Sequence, residues 1–149
     1  VSDVLDVIPS FYLPISNGNL LLPNVSVAEV VEFQELVEQE GPEYFLGVIQ
    51  WRGISVPLIS YELANEQAFS FSTGSRVAVI NSIGKDNERL PFFAIATQGI
   101  PRLVKISEDS IESAAEKSGP AEASRVRVDG EEASIPDLLF LESLISTCV

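Results

Sequence analysis

Leu46-Gly47-Val48-Ile49-Gln50-Trp51-Arg52-Gly53-Ile54-Ser55-Val56-Pro57-Leu58-Ile59 decides how this chain folds. Its first half is rich in the β-branched and aromatic residues that suit a pleated, half-buried surface. A strand is expected from Phe45 to Trp51. Arg52-Gly53 breaks the run, and apolar residues resume from Ile54 to Tyr61. The pattern predicts a β-hairpin with Arg52 at or near its tip. Gly53 is expected to permit the turn, and Gly47 to allow close packing.

The same style extends in both directions. Upstream, Phe11 to Ile15 and Leu20 to Leu22 flank Asn17-Gly18-Asn19. Asn-Gly is a strong short hairpin signal because both residues accept positive φ. Pro23 limits pairing at the end of that run. Val25 to Phe33 reads as a short turn leading into a strand, and Glu35 to Glu43 as an acidic loop carrying Gly41-Pro42. Downstream, a short helix is expected at Tyr61 to Gln67 and a Ser/Phe/Gly loop at Phe69 to Gly74. Strands follow at Arg76 to Asn81, Leu90 to Thr97 and Ile100 to Ile106, with a polar turn at Gly84 to Arg89. Residues 107–123 are polar and acidic. Ser107-Glu108-Asp109-Ser110 resembles a helix cap and predicts a short helix there. Ser124 to Val128 and Glu131 to Ile135 flank Asp129-Gly130, a second hairpin signal. Pro136 suits the first position of a helix. Beyond it Leu138, Leu139, Leu141, Leu144 and Ile145 are spaced as one helical face.

Many short strands with a turn every ten or so residues imply a barrel or sandwich. A faint repeat suggests two lobes. Ser55-Val56-Pro57-Leu58 leads into Tyr61-Glu62-Leu63, and Ala133-Ser134-Ile135-Pro136 leads into Phe140-Leu141-Glu142. Each is a strand, a proline and an expected helix.

Composition removes several function classes. The 149 residues suit one domain, or two small lobes sharing a core, and 46% are hydrophobic. Net charge is −13, which argues against nucleic acid and against an anionic membrane surface. No apolar run is long enough to span a bilayer. The start, Val-Ser-Asp-Val, lacks a basic segment, so no signal peptide is expected. Cys148 is the only cysteine, so no intrachain disulfide forms. Histidine is absent, which rules out a Ser-His-Asp hydrolase, a Cys-His nucleophile and a histidine metal site. Glu35, Glu38, Glu40 and Glu43 lack the residue order of a calcium loop and read as a solvated face. Glu108, Asp109, Glu112 and Glu116 read the same way. No catalytic residue, metal or cofactor is expected.

The quoted hairpin is similar to the signature hairpin of the CheW-like family, in which Gly-Val-Ile precedes Leu-Arg-Gly and a strand ending in Pro and two aliphatics. Val27-Ala28-Glu29-Val30-Val31 resembles that family's Val-X-Glu-Ile segment. Thr97-Gln98-Gly99-Ile100-Pro101-Arg102-Leu103 falls where the family has an Asp-X-Val strand start, and Ile135-Pro136-Asp137-Leu138 resembles its closing strand and helix start. The resemblance implies a mainly β fold of two small five-stranded SH3-like barrels packed together, with short helices including one at the C-terminus. It implies a non-catalytic cytoplasmic adaptor that couples a chemoreceptor's cytoplasmic tip to the regulatory domain of a histidine kinase. A groove near the lobe junction would receive the receptor. Gln98, Arg102 and Trp51 depart from the family pattern, as expected of a variant adaptor such as one in a pilus-type chemosensory pathway.

Glu29, Val30, Trp51, Arg52 and Gly53 are the candidate partner-binding residues. Arg52 presents a fork of donors suited to a carboxylate, and it is expected to pair with Glu29 and hold the hairpin in shape. Trp51 is either a buried anchor or an exposed contact. Val30, Val31 and Phe33 are either barrel core or an apolar edge for a partner. Two alternatives stay open: a small-molecule binder using a barrel mouth, and a regulatory domain cut from a larger kinase.

Overall fold

The computed structural model describes residues 7–16, 18–33, 40–69, 75–84, 90–114 and 119–148. Its strands are β1 (Ile8–Ile15), β2 (Gly18–Pro23), β3 (Val27–Glu32), β4 (Phe45–Trp51), β5 (Ile54–Ile59), β6 (Ser75–Asn81), β7 (Phe92–Gln98), β8 (Arg102–Ile106), β9 (Ile111–Ser113), β10 (Glu122–Val128) and β11 (Glu131–Pro136). Two short α-helices, α1 (Tyr61–Ala64) and α2 (Leu138–Ser146), follow β5 and β11.

The strands form two sheets. One has the order β3-β6-β7-β5-β4 and is continuous in the chain. The other has the order β8-β1-β2-β11-β10-β9 and is split, its first two strands separated from the rest by the whole continuous sheet. The sheets repeat one plan. A hairpin (β6–β7, or β1–β2) joins a second hairpin (β5–β4, or β11–β10) through a parallel pair, β5 with β7 and β11 with β2. An outer strand, β3 or β8, completes each. Among the described residues the expected five strands per lobe are five in one lobe and six in the other, β9 being the addition.

Strand alternation sorts side chains into three cores. Ile49, Trp51, Val56, Leu58, Val77 and Val79 fill the continuous lobe. Tyr12, Leu21, Ile106, Val126, Val128 and Ala133 fill the split lobe. The largest cluster lies between the lobes. It takes Leu13, Ile15, Leu20 and Leu22 from one sheet, Val48, Ile59, Ala78, Phe93 and Ile95 from the other, and Leu138, Leu141 and Ile145 from α2.

Three sequence expectations are corrected. Residues 107–110 form a turn rather than a helix start, because the Ser110 hydroxyl accepts from Ser107 N and donates to Ser107 O, and β9 follows at once. Pro136 ends β11, paired with Glu122. Asp137 is the helix cap instead, its carboxylate accepting from Phe140 N at 3.0 Å. On α2 the buried apolar face is Leu138, Leu141 and Ile145, whereas Leu139 is exposed. Gly47 serves a β-bulge opposite β5 with φ 140°, a conformation that glycine adopts freely. The expected helix at 61–67 is real but closes after Ala64. Asn17 and the segments 34–39, 70–74, 85–89 and 115–118 lie outside the described residues, as do the expectations that fall on them.

Candidate functional site

The β4–β5 hairpin turns through Arg52 (φ 49°) and Gly53 (φ 80°). Two consecutive positive φ values in a two-residue loop are the type I′ pattern, whose twist matches that of the flanking strands. A Cβ on Gly53 would meet nothing within 4 Å, so its backbone angle, not crowding, selects glycine.

Trp51 ends β4 pointing into the continuous lobe, 8% exposed. Its ring meets Phe92 edge-on, with centroids 4.9 Å apart and an interplanar angle of 65°. The indole N–H donates to Oε1 of Glu29 at 2.9 Å. Arg52 donates to the same oxygen through Nε at 3.3 Å and Nη2 at 3.2 Å. The Arg52 guanidinium also lies 5.0 Å from the centroid of the Trp51 ring.

Glu29 lies on β3 and Trp51 on β4, the two edge strands of the continuous sheet. Their hydrogen bond draws the edges together and helps close the barrel. A bulge between Val27 and Glu29 bends β3 beside this junction. The Arg52 side chain is 69% exposed and that of Glu29 41%. The result is an outward guanidinium held by a carboxylate, an aromatic face and a rigid turn.

Of the five candidate residues, Glu29, Trp51, Arg52 and Gly53 come together at this tip. Val30 does not: it is half-buried and packs against the core between the lobes, while Val31 and Phe33 pack on the core inside the barrel.

A second trio repeats the arrangement in the split lobe. Arg102 on β8 lies 4.7 Å from the Tyr12 ring centroid and forms an ion pair with Glu131, which begins β11. Asn19 donates to the same Glu131 oxygen at 3.3 Å. The charges are exchanged: the continuous lobe has its arginine on the hairpin tip and its acid on the outer strand, and the split lobe has the reverse. Sequence reading marked Arg102 as a departure and missed its partners. Aligning the Asp129-Gly130 turn with Arg52-Gly53 was the signal that would have led to Glu131.

Beside that acidic hairpin an open depression of about 260 Å³ is lined by Asp109, Ser110, Ile111, Glu112, Asp129 and Gly130. Among the described residues no helix is long and apolar enough to cross a membrane.

Among curated proteins none gives a significant match. Among solved structures the chain is similar to the scaffolding protein TtCheW from Thermoanaerobacter tengcongensis. Identity is 18%, the match covers 92% of this chain and 87% of that one, and the TM-score is 0.74. That likeness shows the fold, a pair of SH3-like barrels. The family model described as CheW-like domain matches residues 12–144. The chain therefore belongs to the CheW-like family.

Proposed function

We propose that this chain is a non-catalytic cytoplasmic adaptor coupling the signalling tip of a chemoreceptor to the regulatory domain of a histidine kinase. Membership of the CheW-like family supports an adaptor role in chemotaxis. The observation that carries the site is the Arg52 tip: a guanidinium 69% exposed yet fixed by Glu29 and stacked on buried Trp51. A charged group whose rotamer is already set loses little freedom on binding, and arginine and tryptophan are enriched among residues that dominate interfaces. Arg52 and Gly53 would meet the partner, and Glu29 and Trp51 would hold them. Val30, on the face toward the lobe junction, would contribute to a separate contact.

The small-molecule reading has less support. The depression beside Asp129 is open and lined by carboxylates rather than by an apolar wall with a few convergent donors.

The test uses purified wild-type protein and Arg52→Glu with the cognate kinase regulatory domain and receptor tip. Wild type is expected to bind both, and the charge reversal to weaken one of them at least tenfold with an unchanged circular dichroism spectrum. Unchanged binding of both partners would remove Arg52 from the site. Failure of the wild type to bind either would remove the adaptor reading itself.

A further inference from the structure

Two buried carboxylates lie away from the tip, and they cross the lobe junction in opposite directions. Glu62 sits on α1, which follows the last strand of the continuous lobe's second hairpin. Its Oε2 accepts from the backbone N–H of Ser16 at 2.9 Å, in the turn between β1 and β2 of the split lobe. Its Oε1 accepts from the Ser60 hydroxyl at 3.4 Å. Glu142 sits on α2, which follows the corresponding strand of the split lobe. It accepts from Ile83 N at 2.9 Å and Gly84 N at 2.8 Å, just after β6 of the continuous lobe. Each lobe's helix thus holds the main chain of the other lobe's hairpin connection.

The exposure of Glu62 is 0% and that of Glu142 is 6%. Neither makes an ion pair among the described residues; both rely on backbone amides and a hydroxyl. A buried carboxylate deprived of its donors is costly, so such a contact holds a narrow geometry rather than yielding gradually. Gly84 makes the fit tight. A Cβ there would stand 2.7 Å from Oε1 of Glu142, so only a residue without one leaves the carboxylate its place.

We propose that Glu62 and Glu142 are positioning residues that together set the pose of one barrel against the other, each contact holding only while its counterpart holds. Both span the same apolar core, so a shift that opens one changes the separation the other requires. The proposal concerns the lobe junction alone and does not rest on the adaptor reading.

Amide hydrogen exchange resolved by NMR on the full chain tests it. Three variants are compared with wild type: Glu142→Gln, Glu62→Gln and Gly84→Ala. In Glu142→Gln one terminal atom becomes an NH2 that faces an N–H donor. Exchange at Ile83 and Gly84 is expected to rise at least tenfold, with a rise of threefold or more at Ser16, across the junction. Glu62→Gln is expected to give the mirror pattern. Gly84→Ala displaces the carboxylate while keeping both acids, and it should reproduce the first result even if a glutamine variant folds poorly. Protected amides inside the barrels, such as those of Val79 and Ala133, are the reference and should move less. Unchanged exchange at residue 83 in both Glu142→Gln and Gly84→Ala would overturn the contact. Effects confined to each variant's own side would overturn the coupling, as would a uniform rise across all protected amides.

Discussion

Trp51 contributes more to the stability of the hairpin tip than Arg52 does. Its ring is buried and its N–H reaches a carboxylate, and hydrogen bonds to charged groups contribute roughly 1.5–3 kcal/mol. The Arg52 ion pair is largely solvated, and such pairs contribute about 0–1 kcal/mol. Trp51→Phe, which keeps an aromatic ring, is therefore expected to cost about 1–3 kcal/mol in urea unfolding, and Arg52→Ala less than about 1 kcal/mol. An equal cost for the two would contradict this division between a supporting residue and a presented one. The Glu29–Arg52 pair was legible in the sequence through the family resemblance. The sequence alone leaves the burial of Trp51 open; the structure turns it inward with Ile49, with Gln50 exposed between them. What was not legible was that Glu29 receives both neighbours on one oxygen, because that depends on two edge strands meeting 22 residues apart in sequence.

At the level of the element, α1 is short because it closes on itself. Gln67 N donates to Glu62 O at 2.7 Å and Glu66 N to Leu63 O at 3.1 Å, the paired bonds of a Schellman ending. Glu66 supplies the left-handed residue, with φ 61°, and is exposed. A side chain costs roughly 1–2 kcal/mol in that conformation, and glycine carries an entropic cost of roughly 0.5–1 kcal/mol in the unfolded chain. Glu66→Gly is therefore expected to stabilise the protein by about 0.5 kcal/mol. The measurement is the thermal midpoint, and a fall would contradict the reading. Strands and hairpins were legible because turn residues and apolar runs are local. The helix expected after Ser107 was not there, since serine hydroxyls satisfy a turn as readily as a helix start. Pro136 misled for a related reason: proline is tolerated at a strand end as well as at the start of a helix, and Asp137 decided between them.

Across the whole molecule, all three tyrosines are held in their neutral form. Burial is the first cause for each. Glu131 adds to it at Tyr12, Cys148 at Tyr44 and Glu122 at Tyr61, whose phenol is pushed furthest up. An unfolded tyrosine ionises near pH 10. The folded protein keeps these protons above that value, so it binds more protons than the unfolded chain there. Stability is accordingly intact below about pH 10 and falls as pH rises further. Phenolate absorbance at 295 nm is expected to lag behind that of the urea-unfolded chain and to rise together with unfolding. Titration of all three near pH 10 in the folded state would contradict this. The two-lobe plan was visible in the strand–proline–helix repeat. The pairing of β1 with β8 and of β2 with β11, across the whole continuous sheet, was not, because local signals carry no information about distant partners.

The split sheet also dictates an order of events during synthesis. The continuous lobe is complete once the ribosome has made residue 98, whereas β1 and β2, made first, have no strand to pair with except each other until β8 and β11 emerge. From its own synthesis until β8 and β11 emerge, the hairpin of β1 and β2 is an unfinished edge awaiting its partner strands.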